Sequence, residues 1–166
     1  AAPVKARAPV IAAAMTTGAV FRTIASAALA HLQANERGTL AGRDPEYLHQ
    51  MRVALRRMRS AFRVFARVLP QSATSALVTE MRWLARALGP ARDWNVFMSE
   101  TLPPVVDAFA GHDGLAGSAG DCARRERDAT RRAQRAVASL RYQRMLLSLG
   151  AWLAREAWRN ASEPAG

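Results

Sequence analysis

The stretch LHQMRVALRRMRSAFRVFARVL, residues 48–69, decides how this chain folds and what it can bind. Wound as a helix at about 100° per residue, it separates into two faces. His49, Arg52, Arg56, Arg59, Arg63 and Arg67 fall within an arc of about 80°. Leu48, Met51, Leu55, Met58, Phe62, Phe65 and Leu69 form a second, apolar face. Arg57 alone among these arginines leaves the basic stripe. One face therefore packs into a core, and its neighbour carries a line of cations about 27 Å long at a rise of about 1.5 Å per residue.

No acidic residue occurs from residue 50 to residue 79. Like charges one helical turn apart repel by a few tenths of a kcal/mol, so an ordinary solvated face mixes signs. This one does not. Acids elsewhere cannot neutralise it completely, because the chain holds 13 acidic against 24 basic residues, a net charge of +11. A linear polyanion lying along the stripe would relieve the repulsion. Lys5 is the single lysine. A GC-rich genome is one reading of that ratio, and it does not explain the net cationic excess. Arginine offers a planar fork matched to phosphate oxygens.

Outward from this helix the chain reads as helical throughout. Ala, Leu, Arg and Met dominate and no strand pattern appears. Residues 1–14, with Pro3 and Pro9, read as a linker entering from a preceding domain. A first helix starts with Thr16 or Thr17 as cap and runs to about Arg37, broken by Gly38 and Gly42. Asp44-Pro45-Glu46 is a strong start for the second, expected to run to Leu69 and stop at Pro70. The third is expected over Ser72–Leu88, ending at Gly89-Pro90, and a short fourth over Pro90–Glu100. Residues 101–120 read as loop with one helical turn near Val105. A fifth helix covers Asp121–Arg141 and a sixth Tyr142–Arg159. The expected fold is an all-α antiparallel bundle of five to six helices over residues 15–160, with a frayed tail at 161–166.

Arg82 and Arg86, one turn apart, add to the basic set, and Arg92-Asp93 sits near the expected start of the fourth helix. There Asp93 either orients an arginine or serves the helix start. Arg124, Arg127, Arg131 and Arg135 share an arc of the fifth helix, but Glu126 and Asp128 lie nearby and the face reads as solvated. His49 stands in the cationic stripe and is placed to donate to phosphate. His31 and His112 have no such context. The four tryptophans read as core.

Other classes are excluded or left open by what the chain lacks. Cys122 is the lone cysteine, so neither an intrachain disulfide nor a cysteine metal cluster forms, and a reducing cytoplasm is the natural compartment. No apolar run reaches the ~20 residues of a membrane span. The opening AAPVKARAP lacks an initiator Met and reads as a domain cut from a longer protein. The acids are scattered rather than clustered to hold Mg²⁺, and no phosphate loop or nucleophile motif appears. No catalytic residue, metal ligand or cofactor is expected.

The runs HQMRVALRRMRS (residues 49–60) and RWLARALGPARDWNV (residues 82–96) resemble the CHAD domain, the conserved-histidine α-helical domain. The resemblance spans about residues 16–159. It implies a helical fold, binding of inorganic polyphosphate without catalysis, and a location in the cytoplasm or on polyphosphate granules. The signature histidine falls on His49, and the basic positions on Arg52, Arg56, Arg57, Arg59, Arg63, Arg82, Arg86 and Arg92. The family often follows a CYTH domain of the triphosphate tunnel type, in which any triphosphatase or cyclase activity would lie. Two departures stand out. Asn95 replaces the second acid of the family's RD-x-DV pattern, and the chain matches only the N-terminal of two related halves. A homodimer in which a second copy supplies the missing half is one expected arrangement. A nucleic-acid-binding module and an accessory domain of a CYTH-type enzyme are the alternatives.

Overall fold

A computed structural model describes residues 2–109, 113–156 and 158, with the backbone alone for 113–117. Its elements are α1 (Thr17–Ala41), α2 (Pro45–Val64), α3 (Gln71–Val96), a π-helical turn (Phe97–Thr101), α4 (Leu102–Ala108), α5 (Asp113–Val137) and α6 (Leu140–Ala154). The described residues contain no strand, and the fold is the expected all-α bundle. The expected frayed tail and His112 lie outside the described residues.

The α1–α2 hairpin follows from its caps. Thr16 accepts the Ala19 amide at its start, and Asp44 accepts the Glu46 amide at 2.8 Å at the start of α2, with Pro45 in the first turn. Both caps satisfy amides that have no partner inside the helix. The expected break at Gly38 does not occur. The helix runs on to Ala41 and ends at Gly42, whose φ of 65° is the left-handed conformation that glycine adopts freely. Gly38 is there for space: a Cβ would run into the ring of Tyr47 on the facing helix. The buried stripe of α1 changes character along its length, from Phe21, Ala25, Ala28 and Leu32 to His31, Asn35 and Thr39.

Later boundaries move as well. Helix α2 ends at Val64, not Leu69, and the chain winds through tight turns, with the Val68 amide on the Phe65 carbonyl at 2.9 Å. Pro70 disfavours helical geometry at Leu69, and unwinding lets Leu69 turn into the core. Helix α3 does not stop at Gly89-Pro90. Pro90 deprives the Arg86 carbonyl of its helical amide, yet Leu88 and Ala91 on either side are fully buried and keep the axis intact. The expected loop over 101–120 is largely helical. Pro103 lies in the first turn of α4, directly after the π-helical turn, and α5 begins at Asp113 rather than Asp121. Ser139 caps α6 by accepting the Tyr142 amide, which separates α5 from α6.

The core is sealed at one end by aromatic rings. Phe21 meets Phe62 at 5.3 Å and Trp158 at 5.2 Å, and Trp152 stacks on Phe62 at 5.5 Å. This ties α1, α2 and α6 together. Trp83 and Trp94 pack against the core from its edge, so all four tryptophans are packing residues.

Gly38→Ala should destabilise the protein by about 1–3 kcal/mol through overpacking against Tyr47. In an open helix interior the same change stabilises by roughly 1 kcal/mol. A lower urea midpoint with unchanged slope is the expected readout.

Candidate functional site

Because its apolar face is buried by Leu48, Met51, Leu55, Met58 and Phe62, α2 must turn the adjoining face toward α3. There a cleft of ≈ 650 Å³ opens, lined by His49, Arg52, Arg56 and Arg59 from α2 and by Arg82, Arg86 and Arg92 from α3. Val53, Leu55 and Ala85 form its floor. A second cleft of ≈ 900 Å³ shares Arg56, Arg59 and Arg82, adds Arg63, and carries neutral polar groups on Ser60, Gln71, Ser75 and Thr79. From His49 to Arg63 the stripe runs about 21 Å at the helical rise.

The seven side chains of the first cleft carry no carboxylate partner among the described residues. Four nearby acids are engaged elsewhere. Glu80 on α3 is held by Arg141 of α6 in two bonds of 2.7 and 2.9 Å, which keeps its carboxyl below the usual range. Arg141 also lies 4.3 Å over the ring of Trp83. Glu46 accepts from Gln50 at 2.6 Å, and Glu36 accepts from the Tyr142 hydroxyl. Glu126 accepts from Asn95 at 2.7 Å, so the amide at position 95 links α3 to α5.

Arg52 is the arginine of the first cleft with a hydrogen bond to the bundle among the described residues. It is half-buried, reaches the Ala85 carbonyl at 3.5 Å, and lies over Gly89, where a Cβ would stand 3.2 Å from its Nη1. Gly89 thus leaves room for a guanidinium, and the Gly89-Pro90 pair does not end the helix. His49 is half-buried beside it. Burial first, then the positive charge of Arg92, push its imidazole below the ordinary value of 6.5, against a smaller opposite pull from Glu46.

The remaining expected residues fall as follows. Arg57 faces away from the cleft and donates to the Arg7 carbonyl at 2.9 Å, as the helical wheel requires and against the resemblance. Arg67 lies beyond the end of α2, exposed, and lines neither cleft. Asp93 is not at a helix start. It lies in the last turn of α3, exposed, and its carboxylate has no arginine partner among the described residues. On α5, Arg124 pairs with Asp121 at 2.9 Å and Arg131 with Asp128 at 2.6 Å, as a solvated face would. His31, read as incidental, is buried and hydrogen-bonded. Its signal was the spacing His31, Asn35, Thr39, which places three polar residues on the buried stripe of α1.

A bundle with an arginine-lined cleft between its second and third helices is the class of protein that fold and site define. The sequence profile of the CHAD domain matches residues 23–166, and the chain belongs to that family. It is similar to the CHAD domain of the plant Ricinus communis, known from a crystal structure, with 37% identity and a TM-score of 0.82. The alignment covers 94% of this chain and 52% of that one, so the chain spans about half the length of that relative. Comparison with curated proteins gives no match. No helix among the described residues is long and apolar enough to cross a membrane.

Because the fold disfavours the imidazolium of His49, its contribution to stability is complete above pH 6.5 and is lost as pH falls below it. A chemical-shift titration should show a His49 midpoint below 6.5, and Arg92→Gln should raise it. A midpoint unmoved by Arg92→Gln would remove Arg92 from the cause.

Proposed function

We propose that the protein binds inorganic polyphosphate, or a closely similar linear polyanion, in the cleft between α2 and α3, without turning it over. The observation that carries this reading is the convergence of His49, Arg52, Arg56, Arg59, Arg82, Arg86 and Arg92 on one cleft with no carboxylate partner among the described residues. Each guanidinium offers a fork to phosphate oxygens, and charge-assisted bonds of this kind are about twice as strong as neutral ones. The ligand also removes the repulsion among the arginines themselves. Membership of the CHAD family supports the same ligand class.

Binding without catalysis is supported by the chemistry of the walls. Nothing in the lining is a nucleophile with an adjacent base, and no three His, Cys, Asp or Glu side chains come together among the described residues. A linked CYTH domain, a second copy completing the cleft, and a site on polyphosphate granules belong to the same proposal. They rest on the family resemblance and on the half-length match.

Titration with long-chain polyphosphate, followed calorimetrically, should saturate, and its affinity should fall steeply with salt as counterion release requires. Arg56→Glu with Arg59→Glu should lower affinity at least ~100-fold, since each reversal replaces an attraction worth roughly 1.5–3 kcal/mol by a repulsion. Arg57→Glu, on the far side of the helix, should lower it much less. Equal losses at 56/59 and at 57 would point to diffuse charge attraction and against the cleft. Tighter binding of duplex DNA at matched phosphate concentration would favour a nucleic-acid ligand.

Binding should also take up a proton. A polyanion beside His49 opposes the effect of Arg92 and raises the imidazole, so affinity should rise as pH falls toward the free protein's lowered His49 midpoint, below 6.5. His49→Gln should flatten that dependence.

A further inference from the structure

Residues 2–12 form no helix, yet they are bound to the bundle. The Val4 amide donates to Asn35 Oδ1 at 3.0 Å, and Asn35 Nδ2 donates back to the Val4 carbonyl at 2.9 Å. One carboxamide thus pairs with both backbone groups of a single residue, as a neighbouring strand would. His31 Nε2 donates to the same carbonyl at 2.9 Å and to Gln50 Oε1 at 3.1 Å. Gln50 in turn donates to Glu46, so its oxygen is the end that faces His31. Farther along, Arg57 donates to the Arg7 carbonyl.

These contacts have two properties that point the same way. The seat is built: Asn35 is fully buried, and His31, Gln50 and Thr39 around it are buried too. Of the buried polar residues described, only Thr74 lies elsewhere. Polar groups placed in a core without partners are costly, so a cluster of them marks something they hold. The occupant, by contrast, is held by its backbone. Val4 is 43% exposed, and Lys5, Ala6 and Arg7 are exposed as well. Pro3 and Pro9 keep the segment extended and lower the entropy lost on docking.

We infer that His31, Asn35 and Gln50 form a receptor for extended peptide backbone on the α1–α2 hairpin, occupied by residues 3–7 of this chain as a strap. The seat lies within the matched family domain, whereas the strap precedes residue 23, where that match begins. It engages α2 on the face turned away from the cationic cleft, directly through Arg57 and indirectly through His31, which bridges Val4 and Gln50. The strap fixes the N-terminal end of the chain to the back of the helix that lines the cleft. Recognition through the backbone makes it indifferent to the strap's side chains, in the manner of strand addition.

Trypsin cleavage after Lys5 and Arg7, together with amide exchange at position 4 where an amide exists, tests this in the full chain. Asn35→Leu removes the two-point pairing, and Val4→Pro deletes the strap's donor while leaving the bundle untouched. Each should accelerate cleavage about ten-fold, the change expected from losing roughly one net hydrogen bond. Val4→Ala should leave the rate as it is. A thermal melt shows whether Asn35→Leu still folds, and Val4→Pro decides the matter if it does not. Cleavage of the wild type as fast as that of a free peptide of residues 1–14 would overturn the inference. So would a Val4→Pro rate equal to wild type, or a Val4→Ala rate equal to that of Val4→Pro.

Discussion

Repulsion among the arginines of α2 is the constraint on which the rest of the structure depends. Arg52, Arg56, Arg59 and Arg63 stand about one turn apart on one face, and nothing on their own helix offsets them. An isolated helix of this kind would be weakened by each pair. It persists because its other face is buried by Met51, Leu55, Met58 and Phe62, and because Asp44 and Pro45 fix its start. Burying a large apolar side chain contributes about 1.5–3 kcal/mol, several times the repulsion of a pair. The aromatic cluster of Phe21, Phe62, Trp152 and Trp158 anchors the other end. The charge is thus held in place by packing on the other face of the helix.

The same logic governs the acids. A carboxylate free to swing into the cleft would pair with an arginine and close the site. Glu80, the acid nearest in sequence to Arg82, is taken by Arg141 from α6. Glu126 is matched to Asn95, and Glu46 to Gln50. An aspartate at position 95 would face Glu126 with like charge. Asn95 therefore suits this chain's own α3–α5 contact, and the departure from the family pattern has a local cause.

Most of the fold and much of the cleft are legible in the sequence, for reasons that can be named. The arc from His49 to Arg63 follows from helical periodicity, and so does the exclusion of Arg57. Arg82 and Arg86 sit one turn apart and must share a face. What the sequence hides is anything decided across helices. Gly38 and Gly89 look like helix breakers, but each makes room for a side chain from α2, Tyr47 in one case and Arg52 in the other. Pro90 reads as a stop because propensity is local, while the burial of Leu88 and Ala91 is not. Asp93 reads either as orienting an arginine or as serving a helix start, and that start does not exist once α3 runs through. The polar stripe of His31, Asn35 and Thr39 is periodic, but the strap that His31 and Asn35 hold leaves no periodic signal.

The two clefts beside α2 are not independent compartments. Arg56, Arg59 and Arg82 stand in the wall of both. Any anion seated in one therefore draws on guanidiniums that the other needs. Two short anions would compete for the same three side chains, although the volumes could admit both. A single continuous chain meets each of them once. Under the proposed function, the shared wall would make occupancy a property of the whole groove, and the number of molecules bound would depend on how long each one is.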